Sequence, residues 1–195
     1  MAAYVRWMLE REPEIQLDAR CFNDPNAGEL NRHIGRHPEI ITRLIDHGAF
    51  EKWLAHAGQR LSDAIYERAG AGIQYPLLVL VFCRSGRHRA IAATEVLEYV
   101  AERIEMLQCL PTIHLGLEYF RARGADHCKC SACWENTDEE RDAERKLYAS
   151  VRAEVCHRAV GFWHRQPELY DGSSSSGRWE GSVDGQPGQR LPCNE

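Results

Sequence analysis

Seven consecutive residues, Cys83-Arg84-Ser85-Gly86-Arg87-His88-Arg89, put a thiol, a hydroxyl, a glycine, an imidazole and three guanidinium groups into one short stretch. An apolar run, Leu78 to Phe82, stops at Cys83, and an alanine-rich amphipathic segment follows from Ala90 to about Ile104. Strand, tight loop and helix in that order aim backbone N–H groups and a helix N-terminus at an anion. Arginine forks add paired donors for phosphate, and His88 adds a donor that titrates near neutrality. Arg20 lies at the carboxyl end of a neighbouring predicted strand and is expected to converge on the same spot, because ligands of open α/β sheets gather beyond the strand ends.

A second group is Cys128, Cys130 and Cys133, close enough in sequence to share one tetrahedral metal. Thiolates and imidazoles favour zinc, and a structural site closes all four positions with protein ligands. His127, His114 and Cys109 are the candidates for the fourth position. Neighbours such as His127 and Cys128 rarely bind one ion together, so the expectation is His114. The segment has few apolar residues, and a structural zinc would explain how it keeps a shape. Redox-active thiols and plain surface cysteines are the other readings. His114 has a second reading, as a residue at the same sheet edge as the Cys83–Arg89 loop.

The elements that must position these groups follow from periodicity. Glu14 to Phe22 alternates as a strand does, and Asn23-Asp24-Pro25-Asn26 ends it with turn chemistry. One helix starts near Pro38 with Ile40, Ile41, Leu44 and Ile45 on one face. A second carries Phe50, Trp53, Leu54, Leu61, Ala64 and Ile65 at helical spacing. Gly70-Ala71-Gly72 stops it. Strand Leu77 to Phe82 then leads into the loop and the next helix. Pro111 to Leu115 reads as a third strand reached by a right-handed crossover. A last helix is announced by Thr137 with Glu140 three residues on, and Ala143, Leu147, Val151, Val155 and Ala159 form its apolar stripe. Trp53, Trp134 and Trp163 read as packing residues, and Cys156-His157 as incidental. Residues 171–195 are rich in Ser, Gly and Pro and read as a disordered tail.

The pattern predicts an α/β domain with a small, mostly parallel sheet flanked by helices over 14–124. A Cys-rich segment and C-terminal helix follow over 125–165. The chain of 195 residues has a net charge of -5, which argues against a general nucleic-acid coat but leaves room for a local basic site. No apolar run approaches the ~20 residues a membrane span needs. Met1 to Arg6 lacks the basic and apolar pattern of a secretory signal, so a reducing, cytoplasmic setting is expected for the eight cysteines.

Cys83-Arg84-Ser85-Gly86-Arg87-His88-Arg89 resembles the Cys-Thr-Gly-Gly-x-His-Arg-Ser loop of the RapZ C-terminal domain family. Asp18-Ala19-Arg20-Cys21-Phe22-Asn23-Asp24-Pro25 resembles that family's first strand and turn, Asp-x-Arg-Phe-x-x-Asn-Pro. Cys83, Gly86, His88 and Arg89 match the loop, and Asp18, Arg20 and Pro25 match the first block. Arg84, Ser85 and Ala90 stand where the family has Thr, Gly and Ser. The resemblance runs over about residues 14–115. It implies a non-enzymatic adaptor that binds a structured small RNA and glucosamine-6-phosphate, presents the RNA to a ribonuclease, and is oligomeric. It also implies a fold like a phosphofructokinase subdomain. The Walker A loop of RapZ's N-terminal domain has no counterpart in this sequence, so ATP or GTP binding is not implied.

The loop therefore reads as a phosphate-binding site made by Cys83, Arg84, Ser85, Gly86, Arg87, His88, Arg89 and Arg20. An alternative is enzymatic. Cys-x-x-Gly-x-x-Arg resembles the signature of cysteine-dependent phosphatases, with Cys83 as nucleophile and Arg89 holding the phosphate. Phe82 and Ala90 depart from that signature. A third reading is a solvated, arginine-rich turn after a buried cysteine.

Overall fold

The alternation at the start of the domain becomes strand β1 (Ile15–Asp18), with Ile15 and Leu17 buried and Gln16 exposed. In this computed structural model the described residues are 10–23, 28–84, 86–103, 107–115, 128, 130–133 and 142–164. The turn at Asp24–Asn26, Ser85, His127, the Thr137 capping box, Trp134 and the tail 171–195 lie outside them.

Strand β2 (Val79–Phe82) pairs with β1 in parallel, Ile15 opposite Val79 and Asp18 opposite Phe82. Parallel neighbours need a long crossover. Here it holds a short 3-10 turn (Gly28–Arg32) and the helices α1 (Pro38–Ile45) and α2 (Phe50–Gly70). Pro38 suits the first helical turn, and the Glu39 N–H donates to Nδ1 of the N-cap His37. Ile40, Ile41, Leu44 and Ile45 are all buried, as their spacing requires. Phe50, Trp53, Leu54, Ala57 and Leu61 form the buried face of α2. Gly72, at φ 66°, turns the chain after that helix, in the left-handed region that glycine enters without strain.

Helix α3 (Arg89–Ala101) follows the loop and buries Ala90, Ile91, Ala92, Ala93, Val96 and Val100. Its run of alanines lets other backbone come close. Helix α4 (Asp142–His164) packs across α1, α2 and α3. The fold is thus a small α/β domain: two parallel strands and four α-helices among the described residues, with a Cys-rich region at 128–133.

Two expectations need correction. Pro111–Leu115 does not form a third strand. Pro111 has no N–H to give a ladder, and this segment grips α3 through side chains: Thr112 Oγ1 donates to Glu98 Oε2 at 3.0 Å. The stripe predicted for α4 holds at Val155 and Ala159, which pack in or against the core, but not in the helix's first half. Leu147 is 62% exposed and Val151 37%, whereas Cys156, Ala159, Val160 and Trp163 are in the core. Trp163 packs against Gly58, where an added Cβ would come within 2.9 Å of its ring. Cys156 is accordingly a core residue, and burial pushes its thiol up to about 12.

Candidate anion loop and metal centre

Cys83 directly follows β2, and its Sγ accepts the Gly86 N–H at 3.2 Å. That bond curls the loop, and Gly86 completes the curl at φ 66°. The N-cap of α3 is His88, which makes no capping bond, and the first turn holds no acidic side chain. The first-turn amides of such a helix point outward without intrahelical partners. They are a fitting place for an external anion.

The loop's cationic side chains divide into two groups. Arg84 is exposed. The others are held by protein oxygens. Arg87 donates through Nη2 to both the carbonyl and the side-chain Oδ1 of Asn31, the latter at 2.8 Å. Arg89 Nη1 donates to the carbonyls of Phe22 at 2.8 Å and Arg20 at 3.3 Å. Arg20 grips Asp18 through Nε and Nη2, at 2.9 and 2.6 Å, and stacks its guanidinium 5.2 Å from the Phe82 ring centroid. Burial pushes the Asp18 carboxyl up, but the Arg20 bonds and the charges of Arg20 and Arg89 outweigh it and hold the group below its ordinary value. Arg20 and Arg89 come together here, on Asp18 and main-chain carbonyls.

His88 is buried at 2% exposure. Its Nε2 lies 2.9 Å from the His33 carbonyl oxygen and 3.1 Å from Arg87 Nε. Protonated, that nitrogen donates to His33; unprotonated, it accepts from Arg87. Beside the loop is a cavity of about 570 Å³, with Cys83, Gly86, Ala90, Ile91, Thr94 and His114 among its walls.

The cysteine cluster closes on the other side of the same strip of chain. His33 Nδ1 lies 3.4 Å from Cys130 Sγ and 3.5 Å from Cys133 Sγ, and Cys128 Sγ is 3.5 Å from Cys130 Sγ. All four ligand atoms fall within 4.8 Å of one another. Metal–sulfur bonds of about 2.3 Å and metal–nitrogen bonds of about 2.0 Å make tetrahedral edges of roughly 3.5–3.8 Å, so the spacing fits one ion. The Ile34 N–H donates to Cys133 Sγ at 3.5 Å, a bond that supports a thiolate ligand. Hydrogen bonds from Cys133, Cys128 and His33 bring the Cys130 thiol down to about 4 against its burial. The bond to Cys130 and burial push Cys133 up, and burial pushes Cys128 up.

The residue that completes the four-ligand group is His33, not the expected His114. His114 instead bonds Glu95 Oε1 at 3.3 Å, in a cluster where Arg36 Nε meets the same oxygen at 2.8 Å and Arg152 approaches Oε2 at 3.7 Å. Burial pushes Glu95 up, and the His114 bond with the charges of Arg36 and Arg152 brings it below its ordinary value. Cys109 is not in that group either: its Sγ faces the Glu98 carbonyl of α3, and burial raises its thiol to about 11.

A family model described as the RapZ C-terminal domain matches residues 5–110. This chain belongs to the RapZ C-terminal domain family. The match spans both strands, the loop and α3, so the RapZ domain is the part of the chain that builds the Cys83–Arg89 loop. It includes His33 but ends before Cys128, Cys130 and Cys133, so this Cys3His group, which could hold a metal ion, joins the RapZ domain to sequence beyond the match. No curated protein and no solved structure matches the chain. The family places this RapZ domain among adaptor-type domains for nucleotide or sugar-phosphate ligands. Among the described residues no helix is long and apolar enough to cross a membrane.

Sequence reasoning missed His33, Asn31, Gly35 and Glu95. A ligand nearly a hundred positions from its partners leaves no spacing signal. Gly35 alone carried a hint, a lone glycine between Ile34 and Arg36.

Proposed function

We propose that this domain is a non-enzymatic adaptor module that binds a phosphorylated ligand at the mouth of the Cys83–Arg89 loop. The observation that carries this reading is the N-terminus of α3. It follows a curled glycine loop, has no capping side chain and no acidic first turn, and opens beside a cavity. A phosphate there meets first-turn amides and the exposed Arg84, while the ring or base it carries rests on Ile91 and Thr94. Arg87 and Arg89 set the shape of the loop. The guest is a sugar phosphate or an RNA phosphate, in a cytoplasmic protein that assembles with copies of itself.

The phosphatase alternative is favoured by one observation, the Gly86 N–H directed at Cys83 Sγ, which suits a thiolate. Against it stands Arg89, whose Nη1 is engaged by two main-chain carbonyls.

For the Cys3His cluster the proposed ion is zinc, because three thiolates and one imidazole in a closed tetrahedron select it over harder cations. Elemental analysis of the purified chain should give one zinc per protein.

A thermal-shift panel of hexose and hexosamine phosphates, with a structured RNA alongside, tests the reading. Stabilisation by a phosphorylated ligand is expected, together with loss of that shift in Arg84→Ala and its retention in Cys83→Ser. Bound RNA would lose affinity steeply with salt. Hydrolysis of a phosphate monoester that disappears in Cys83→Ser would instead establish the enzyme. No shift with any phosphate or RNA would end the binding reading.

A further inference from the structure

We propose that a metal ion held by His33, Cys128, Cys130 and Cys133 fixes the conformation of the anion loop, so that metal occupancy sets anion affinity. The affinity part rests on the phosphate reading above; the coupling of metal to loop stands on geometry alone.

One short strip, Asn31–Gly35, touches both sites. Towards the cysteines, His33 offers Nδ1 to Cys130 and Cys133, the Ile34 N–H reaches Cys133 Sγ, and the Cys128 N–H donates to the Arg32 carbonyl at 3.0 Å. Towards the loop, Asn31 takes the Arg87 guanidinium, the His33 carbonyl meets His88, and the Gly35 N–H donates to the Arg87 carbonyl at 3.0 Å. The strip also lies hard against the loop. A Cβ on Gly35 would be 2.3 Å from the His88 carbonyl oxygen and 2.5 Å from the Ala92 nitrogen. Ile34, Ile91 and Cys133, all buried, form a small apolar cluster that ties strip, helix and metal centre together.

Residues 33–37 form no helix or strand. Their position depends on what they bind at either side. Without an ion, the cysteine segment is held to the strip by weak thiol contacts and a few hydrogen bonds. With an ion, His33 is fixed by a coordinate bond, and its carbonyl is set where His88 must find it. Any free energy by which the metal favours this strip conformation is shared with an anion that needs the same loop. The linkage is reciprocal: the anion tightens metal binding by the same factor.

The experiment uses the full chain, stripped of metal by a chelator and reloaded with Zn2+. Two readouts are taken: amide hydrogen exchange over Gly86–Ala92, and affinity for inorganic phosphate by calorimetry. Zinc is expected to slow exchange at the loop and to tighten phosphate binding about 5–150-fold, the usual range of coupling between sites. Unchanged exchange with and without zinc overturns the proposal, whatever phosphate does. Slowed exchange with no phosphate binding in either form upholds the metal–loop coupling and overturns the phosphate reading. His33→Ala should lose both zinc and loop protection, and His33→Cys, which restores a four-ligand site, should recover them. If His33→Ala fails to fold, Cys128→Ser removes one ligand and leaves the His33 carbonyl in place. A Cys128→Ser protein that has lost zinc but keeps zinc-level loop protection also overturns the proposal.

Discussion

The carbonyl oxygen of His33 lies 2.9 Å from Nε2 of His88, while the imidazole of the same His33 faces Cys130 and Cys133. One residue thus serves the family's loop with its main chain and the cysteine cluster with its side chain. The following outcomes are expected from that arrangement and its surroundings.

Gly35→Ala should destabilise the domain by about 1–3 kcal/mol or more, because the new methyl would overlap backbone atoms of His88 and Ala92 that have no rotamer to escape into. Urea denaturation monitored by tryptophan fluorescence measures it. A variant as stable as the parent would show that the strip and α3 are less closely apposed than described.

Arg89→Lys should lower stability by about 1–2 kcal/mol in phosphate-free buffer, since a lysine does not reproduce the two bonds to the Phe22 and Arg20 carbonyls. Arg84→Ala should leave the melting temperature unchanged in the same buffer. The opposite ranking would mean that Arg89 is free for a ligand and Arg84 is structural.

Glu95→Gln should cost about 1–3 kcal/mol near neutral pH, because Arg36, Arg152 and His114 lose their shared carboxylate. The Glu95 carboxyl titrates below its ordinary 4.5 in the folded protein. Its contribution is therefore complete above that value and fades as pH falls below it towards the lowered folded value. The stability gap between parent and Glu95→Gln should be widest above about pH 5.5 and close in acid. A gap that is flat from neutrality into acid would contradict the ion-pair assignment.

On α4, Leu147→Glu and Val151→Glu should each change stability by no more than about 0.5 kcal/mol, because both side chains are exposed. Trp163→Ala should cost about 3–5 kcal/mol, leaving a hole over Gly58. Paired denaturation curves decide. Large losses at Leu147 would restore the stripe read from periodicity.

The strand, loop and helix around Cys83–Arg89 were legible because local chemistry dictates them: a β-branched run, a glycine that must turn, and alanines at helical spacing. Helices α1 and α2 were legible for the same reason. The first half of the α4 face was misread because Leu147 and Val151 share a spacing with Val155 that also fits a solvent-facing stripe. The third strand was misread because Pro111–Leu115 has strand-like composition, whereas Thr112 is drawn to Glu98 of α3. The fourth metal ligand was out of reach. Three cysteines announce a site, but which imidazole completes it depends on how a distant turn folds back, and composition holds no record of that.

The separation of His33 from Cys133 along the chain has a kinetic meaning. Their side chains meet across 100 positions. During synthesis at roughly 5–20 residues per second, the Cys83–Arg89 loop leaves the ribosome several seconds ahead of Cys133. Over that interval the emerging domain has to fold without the cysteines that complete its Cys3His group. If the proposed zinc is what closes the group, a truncated product ending before Cys128 should be a substrate for quality control, and zinc supply should govern how much of the full-length product survives.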